Sequence, residues 1–359
     1  MKKRKFKYKN IIIIFILLLI VLFPVKDVVS IKMKGYNFSN TFKIYFNGLR
    51  DTILKNDYSK TVEKFLDSDN FDKKYLNLYF EIDYYDNDYF VDSVNNLLNT
   101  GYTSIDINNI NKKEIKELND KLENMYVQDI SNYLQYEYFK TDKIDRYVSY
   151  FNGDYSDTIV KVNIGLDKEF YDNPNIVKKY STSVLVNKYN MLDASFEPTE
   201  LVKIDKCLES NSEEYLASEA KKAYDLLCEA SKKDKINIGV TSAYRSYEDQ
   251  ASVYRYYLKN NGADYASKYV AREGYSEHQT GLSLDIKSTV GSPFKTTKEY
   301  TWMINNAYKY GFILRYPEGK EDITGYNSES WHFRYVGVDI AKYIYENNIT
   351  YDEYYAMFF

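Results

Sequence analysis

The chain has 359 residues, 44% hydrophobic and 28% charged, with a formal net charge of −4, two cysteines and two histidines. That apolar content can build a sizeable core and excludes a disordered polymer, and the length is a prior for about two domains. Lys2, Lys3, Arg4, Lys5, Lys7 and Lys9 precede everything else, so the remainder is distinctly acidic, which excludes nucleic acid as a partner.

Residues 1–10 read as a basic, cytoplasmic N-terminus. Ile11 to Phe23 follows as an unbroken apolar run of 13 residues, short of the roughly 20 a spanning helix needs and suited to a signal-peptide core. No Ala-x-Ala cleavage site follows, and Phe6, Tyr8 and snorkelling lysines can lengthen the apolar segment. The expectation for 11–29 is an uncleaved single-pass membrane anchor with the body outside the cytoplasm, or secretion if the segment is cleaved.

Residues 30–140 are polar and helix-patterned, rich in Asn, Asp, Lys and Tyr. Ile115, Leu118, Leu122 and Met125 carry the clearest helical period. Lys34-Gly35-Tyr36-Asn37-Phe38-Ser39 and Thr100-Gly101-Tyr102-Thr103-Ser104 suggest a weak internal repeat. The region holds no histidine, cysteine or glycine-rich loop, which points to a spacer or adaptor. The 41 tyrosines, spread from end to end, read as composition bias before they read as a stacking surface.

From residue 145 onward, strand and helix patterns alternate. Ile236 to Val240 reads as a strand, Glu248 to Lys259 as a helix stopped at Asn261-Gly262, and Gly281 to Ile286 as a strand. Lys298 to Tyr310 reads as a helix ended by Gly311, Trp331 to Val336 as a strand, and Ala341 to Tyr345 as part of the last helix. Without a repeated β-α unit or a G-x-G-x-x-G fingerprint, the fold class is α+β. Leu216, Ala220, Ala223, Leu227 and Ala230 mark the apolar face of a helix that also carries Cys228. Cys207 and Cys228 are not in a C-x-x-C pair, and a disulfide and two buried thiols are equally open.

The chemistry concentrates on the two histidines. His278 opens His278-Gln279-Thr280-Gly281-Leu282-Ser283-Leu284-Asp285, and His332 closes Glu329-Ser330-Trp331-His332. Two imidazoles and one carboxylate form a catalytic zinc set with an open position for water, and Glu329 is the candidate general base. On an extended strand Leu282, Leu284 and Ile286 face the core while Gly281, Ser283 and Asp285 face the metal. A three-residue offset cannot put Glu329 and His332 on one face of a regular strand, so a turn at Ser330 must redirect Glu329. Trp331 reads as a core anchor and Glu277 as solvated. Arg245 can clamp a carboxylate or stabilise an oxyanion; the competing expectation pairs it with Glu248 or Asp249.

These clusters resemble the VanY-type D-alanyl-D-alanine carboxypeptidase family, with its S-x-H-x-x-G-x-A-x-D and E-x-W-H patterns. The likeness extends to Leu185-Val186-Asn187-Lys188-Tyr189, Glu197-Pro198-Thr199-Glu200-Leu201, Ser242-Ala243-Tyr244-Arg245-Ser246 and the segment from Gly325 to Gly337. It covers 145–359; one departure is Ser283 where the family usually has alanine. The resemblance implies a zinc peptidase domain with ligands His278, Asp285 and His332 and with Ser276, Gln250 and Arg245 on the substrate. The implied activity is removal of the C-terminal D-alanine from peptidoglycan stem peptides, D-Ala-D-Ala preferred. The alternatives are L,D-carboxypeptidase action on tetrapeptides, cross-link endopeptidase action and a non-catalytic wall-binding module. Arg245 favours an exopeptidase, because its clamp needs a free chain end.

Overall fold

The computed structural model describes residues 25–84, 90–110, 132–198, 200–210, 212–288 and 293–359. The helix expected across 113–125 lies outside them. The chain divides into two compact units, Met1–Asp145 and Arg146–Phe359.

The first unit is built of short helices around Phe65, Tyr79, Phe90, Val94 and Leu97, all fully buried. The repeat suggested by the two Gly-Tyr pairs is a real local structure. Gly35 (φ +114°) and Gly101 (φ +99°) take the positive φ that other residues resist, Tyr36 and Tyr102 are buried, and Asn37 and Thr103 each cap the helix that follows. The likeness continues beyond the sequence match. A 3-10 turn leads into a helix at Lys73–Tyr75 and again at Thr141–Lys143. Tyr79 donates to Asn95 Oδ1 (2.7 Å) and, past the unit boundary, Tyr147 donates to Asn163 Oδ1 (2.8 Å) at the same spacing of 16 residues.

The expected membrane anchor is corrected. Among the described residues no helix is long and apolar enough to cross a membrane, and Ile11 to Phe23 lies outside them.

The second unit holds two small sheets, β1 (Asn175–Val177) with β2 (Asn190–Leu192) and β3 (Leu201–Lys203) with β4 (Tyr215–Ala217). Its main sheet comprises β5 (Ile238–Ser242), β6 (Ser283–Ser288), β7 (Phe312–Tyr316) and β8 (Glu329–Tyr335), antiparallel in the order β5-β6-β8-β7. Alternation gives the sheet two different faces. Ile238, Val240, Leu284, Ile286, Phe312 and Phe333 join one core with Ala220, Tyr224 and Leu227 of α1 (Ser218–Lys233) and Met303 of α2 (Lys298–Asn306). Burying each large side chain there contributes about 1.5–3 kcal/mol. Ser283, Asp285, His332 and Arg334 alternate with these core residues and so occupy the other face.

Among the boundaries that differ from expectation, three have a clear local cause. β6 starts at Ser283 because Gly281 (φ +67°) closes a 3-10 helix, where a Cβ would come 3.1 Å from the Ala217 nitrogen. The helix ending at Gly311 tightens into a 3-10 turn over Ala307–Tyr310. The helix carrying Ala341 (Val338–Asn347) is not the last, because Thr350 caps a further helix, α3 (Tyr351–Phe358), with a capping box.

Cys207 and Cys228 form a disulfide across a separation of 21 residues, joining α1 to the segment between β3 and β4. Replacing both with alanine should lower the unfolding free energy by about 3 kcal/mol, the effect of freeing a loop of that length. Urea denaturation measures this; a change below about 0.5 kcal/mol would remove the bridge from any account of stability.

Candidate active site

Ser276 begins the site locally. It is the N-cap of the 3-10 helix Glu277–Thr280, its Oγ accepting from the His278 nitrogen at 3.4 Å. This turn buries His278 with Nδ1 2.5 Å from the Ala243 carbonyl and leaves Nε2 3.5 Å from Asp285 Oδ1. Asp285 and His332 face each other across the β6–β8 pair. Register therefore brings them together, with His332 Nδ1 3.2 Å from Asp285 Oδ1, while the rings of the two histidines meet edge to face at 5.0 Å.

Glu329 reaches the same point by an irregularity. β8 pairs Phe333 with Leu314 but Glu329 with Tyr316, so β8 carries two more residues than β7 between those pairs. This bulge supplies the redirection that regular alternation forbids. Glu329 Oε2 lies 3.8 Å from His332 Nδ1. Burial raises its carboxyl to about 7; His332 opposes the shift and Asp285 and Glu277 add to it.

A cleft of about 310 Å³ opens over these residues and includes Arg245, Gln250, Ser276 and Glu329. The Arg245 guanidinium donates to Gln250 Oε1 (2.8 Å) and Ser242 Oγ (2.9 Å), not to Glu248 or Asp249. Gln250 in turn donates to the Ala271 carbonyl at 2.6 Å, so its amide is committed to holding Arg245. Those contacts leave the arginine without a carboxylate partner among the described residues.

The donor set fits a metal ion. His278, Asp285 and His332 each present one ligand atom, all within 4.8 Å of one another. Asp285 Oδ1 is buried and makes no hydrogen bond despite its two imidazole neighbours. The second nitrogen of each ring is engaged elsewhere, His278 with Ala243 and His332 with Glu277 Oε2 at 3.2 Å. Two imidazoles with one carboxylate match a zinc site that keeps a position open. Burial would raise the Asp285 carboxyl, yet His278 and His332 outweigh it and hold it well below the usual range. Burial would lower the His332 imidazole, yet Asp285 and Glu277 raise it to about 9, so a metal ion has to displace that proton.

Two expectations fail here. Glu277 is not solvated; it is fully buried against Arg315 and Arg334. Trp331 is not a core anchor, being 41% exposed on the cleft wall, since the bulge and the alternation of β8 turn it outward. The aromatic lining went unseen in sequence. Tyr257, Tyr265 and Tyr269 form one wall, Tyr265 and Tyr269 stacked at 4.6 Å, and Tyr316 packs on His332 at 5.1 Å. The usable signal was the spacing of Gln250, Val253 and Tyr257 on one helix face, hidden by the abundance of tyrosine.

Comparison with known proteins gives consistent matches. A family model described as VanY, D-alanyl-D-alanine carboxypeptidase, matches residues 213–338. YodJ of Bacillus subtilis (strain 168) is 41% identical over 181 residues, 48% of this chain and 66% of that protein. The bifunctional D-Ala-D-Ala dipeptidase and D-Ala-D-Ala carboxypeptidase VanXYC of Enterococcus gallinarum is 35% identical over 181 residues, 48% of this chain and 93% of that protein. Among solved structures, the LdcB LD-carboxypeptidase is 36% identical with a TM-score of 0.48, covering 53% of this chain and 92% of that one.

Proposed function

The chain belongs to the VanY family of D-alanyl-D-alanine carboxypeptidases, and from that premise we propose that it is a zinc-dependent hydrolase removing the C-terminal D-alanine from peptidoglycan stem peptides, D-Ala-D-Ala preferred. The observation that carries the reading is the convergence of His278, Asp285 and His332 in one cleft with Glu329 and Arg245. A zinc ion held by those three donors supplies Lewis acidity toward the scissile carbonyl and toward water.

Everything else falls to the chain's own groups. Arg245, oriented by Gln250 and Ser242, binds the free carboxylate of the terminal residue. Its fork matches two carboxylate oxygens, which selects a chain end over a mid-chain peptide bond. Ser276 lines the same cleft and is a further hydrogen-bonding partner for the substrate. Glu329 accepts a proton from the attacking water as the new C–O bond forms. It then returns that proton to the nitrogen of the departing D-alanine as the C–N bond breaks. Burial raises this carboxyl above the ordinary glutamate range, which makes it a stronger base toward the water.

Arg245→Lys should lower kcat/KM by about 10- to 100-fold, because an ammonium loses one charge-assisted contact of the fork. Steady-state kinetics on a D-Ala-D-Ala-ended peptide measures this, and an unchanged value would remove Arg245 from the substrate. Mass analysis of matched pentapeptide and tetrapeptide muropeptides tests the activity itself. Loss of one alanine from the pentapeptide is expected. Loss from the tetrapeptide alone would make the enzyme an L,D-carboxypeptidase, and cleavage of neither would leave a wall-binding module.

A further inference from the structure

Glu277 and His278 are adjacent in sequence, but the 3-10 turn sends them in different directions. His278 points to Ala243 and Asp285, while Glu277 points inward and ends behind the other histidine. Its Oε1 accepts from Arg315 Nε (2.7 Å) and Arg334 Nη1 (3.1 Å), and its Oε2 faces His332 Nε2 at 3.2 Å. Arg315 is also bound to Asp352 on α3 (2.5 Å), and Arg334 donates to the Val184 carbonyl (2.7 Å). Glu277, Arg315 and Arg334 are fully buried. Two carboxylates and two guanidiniums cancel in charge inside a low-dielectric interior, where an unpaired member would be very costly.

From this geometry we infer that Glu277 is a positioning residue: as an anion it holds the His332 ring with Nε2 protonated and Nδ1 turned to the metal position. A carboxylate can only accept, so the proton between Glu277 and His332 belongs to the imidazole. A carbonyl can only accept as well, so His278 carries its proton on Nδ1. The two ligand histidines are thus held as opposite tautomers, one by backbone and one by a buried ion. A carboxylate behind an imidazole raises its donor strength and stops its rotation. Arg315 and Arg334 occupy Oε1, and Oε2 is shared between His332 Nε2 (3.2 Å) and the Ser283 hydroxyl (3.3 Å), so the imidazole meets the oxygen that carries no guanidinium. The inference rests on the zinc reading of the site, and its failure is separable from the failure of that reading.

Because the full chain has only two histidines, the test is direct. Long-range proton–nitrogen correlation on the zinc-loaded, nitrogen-15-labelled protein should show one imidazole protonated at Nδ1 and the other at Nε2. Two rings of the same tautomer would overturn the inference and leave zinc binding untouched. Glu277→Gln, measured by chelator competition, should weaken zinc binding by about 10- to 100-fold, the usual effect of losing such a partner. It should shift the Nε2 proton signal of His332 while leaving His278 in place. A folded variant whose zinc affinity stays within about twofold of the parent would also overturn the inference. The tautomer measurement needs no variant, so it decides the question even if Glu277→Gln does not fold. Absence of zinc binding by the parent chain would overturn this inference and the metal reading together.

Discussion

Replacing His332 with alanine should remove the zinc from a protein that otherwise carries about one ion per chain, and hydrolysis should fall to background. The site has three protein donors, and a two-donor remnant of His278 and Asp285 lacks the set that holds a catalytic zinc. The effect should exceed that of any other single ligand change. His332 sits between Asp285, Glu329 and Glu277, and its loss takes away the common neighbour of all three carboxylates. Asp285 and Glu329, left without His332 and the metal, repel one another, while Glu277 keeps its two arginines, so the variant should also unfold at lower temperature. Metal analysis by mass spectrometry and a thermal melt measure the two consequences. Full metal content in the variant would show that the ligand set is wrong.

Glu329→Gln should separate chemistry from binding. The amide keeps the size of the carboxyl but accepts no proton at neutral pH, so turnover should fall at least about 100-fold, the scale of a positioned acid-base group. Zinc content should persist, because Glu329 lies outside the three donors that converge on the metal position. KM should change little, because the proposed contacts to the terminal carboxylate come from Arg245. The variant also tests the bulge in β8. That irregularity has a clear purpose only if Glu329 acts at the metal face, since regular pairing would turn the side chain away. Near-parent kcat would make Glu329 a bystander and leave the bulge without a catalytic explanation. The informative outcome is lost turnover with zinc retained and the melting temperature unchanged.

How much of this was legible in the residues depends on whether the cause is local. Leu282, Leu284 and Ile286 alternate with Ser283 and Asp285, and alternation alone assigned them to core and site faces. The histidine-bearing motifs named the three converging donors because those residue types at those spacings have few other uses. The problem posed by Glu329 was also visible, since its offset from His332 required a break in the strand. Its solution was not, because a bulge is defined by pairing with β7, a partner absent from any local window. Trp331 was misplaced for the same reason.

Glu277 shows the limit most clearly. A glutamate in a polar loop next to a histidine reads as solvated, since a lone buried carboxylate is prohibitively costly. It is buried because Arg315 from β7, Arg334 from β8 and Asp352 from α3 arrive from 38, 57 and 75 residues further along the chain. The disulfide, open in sequence, depended likewise on where α1 lies against the segment between β3 and β4. What the sequence determined by itself was the chemistry available: the candidate donors, the carboxylate proposed as base, the arginine and the alternation that aims the strand residues. What only the tertiary structure decided was which charges become neighbours, because the free energy of a buried ion depends on partners that no local pattern names.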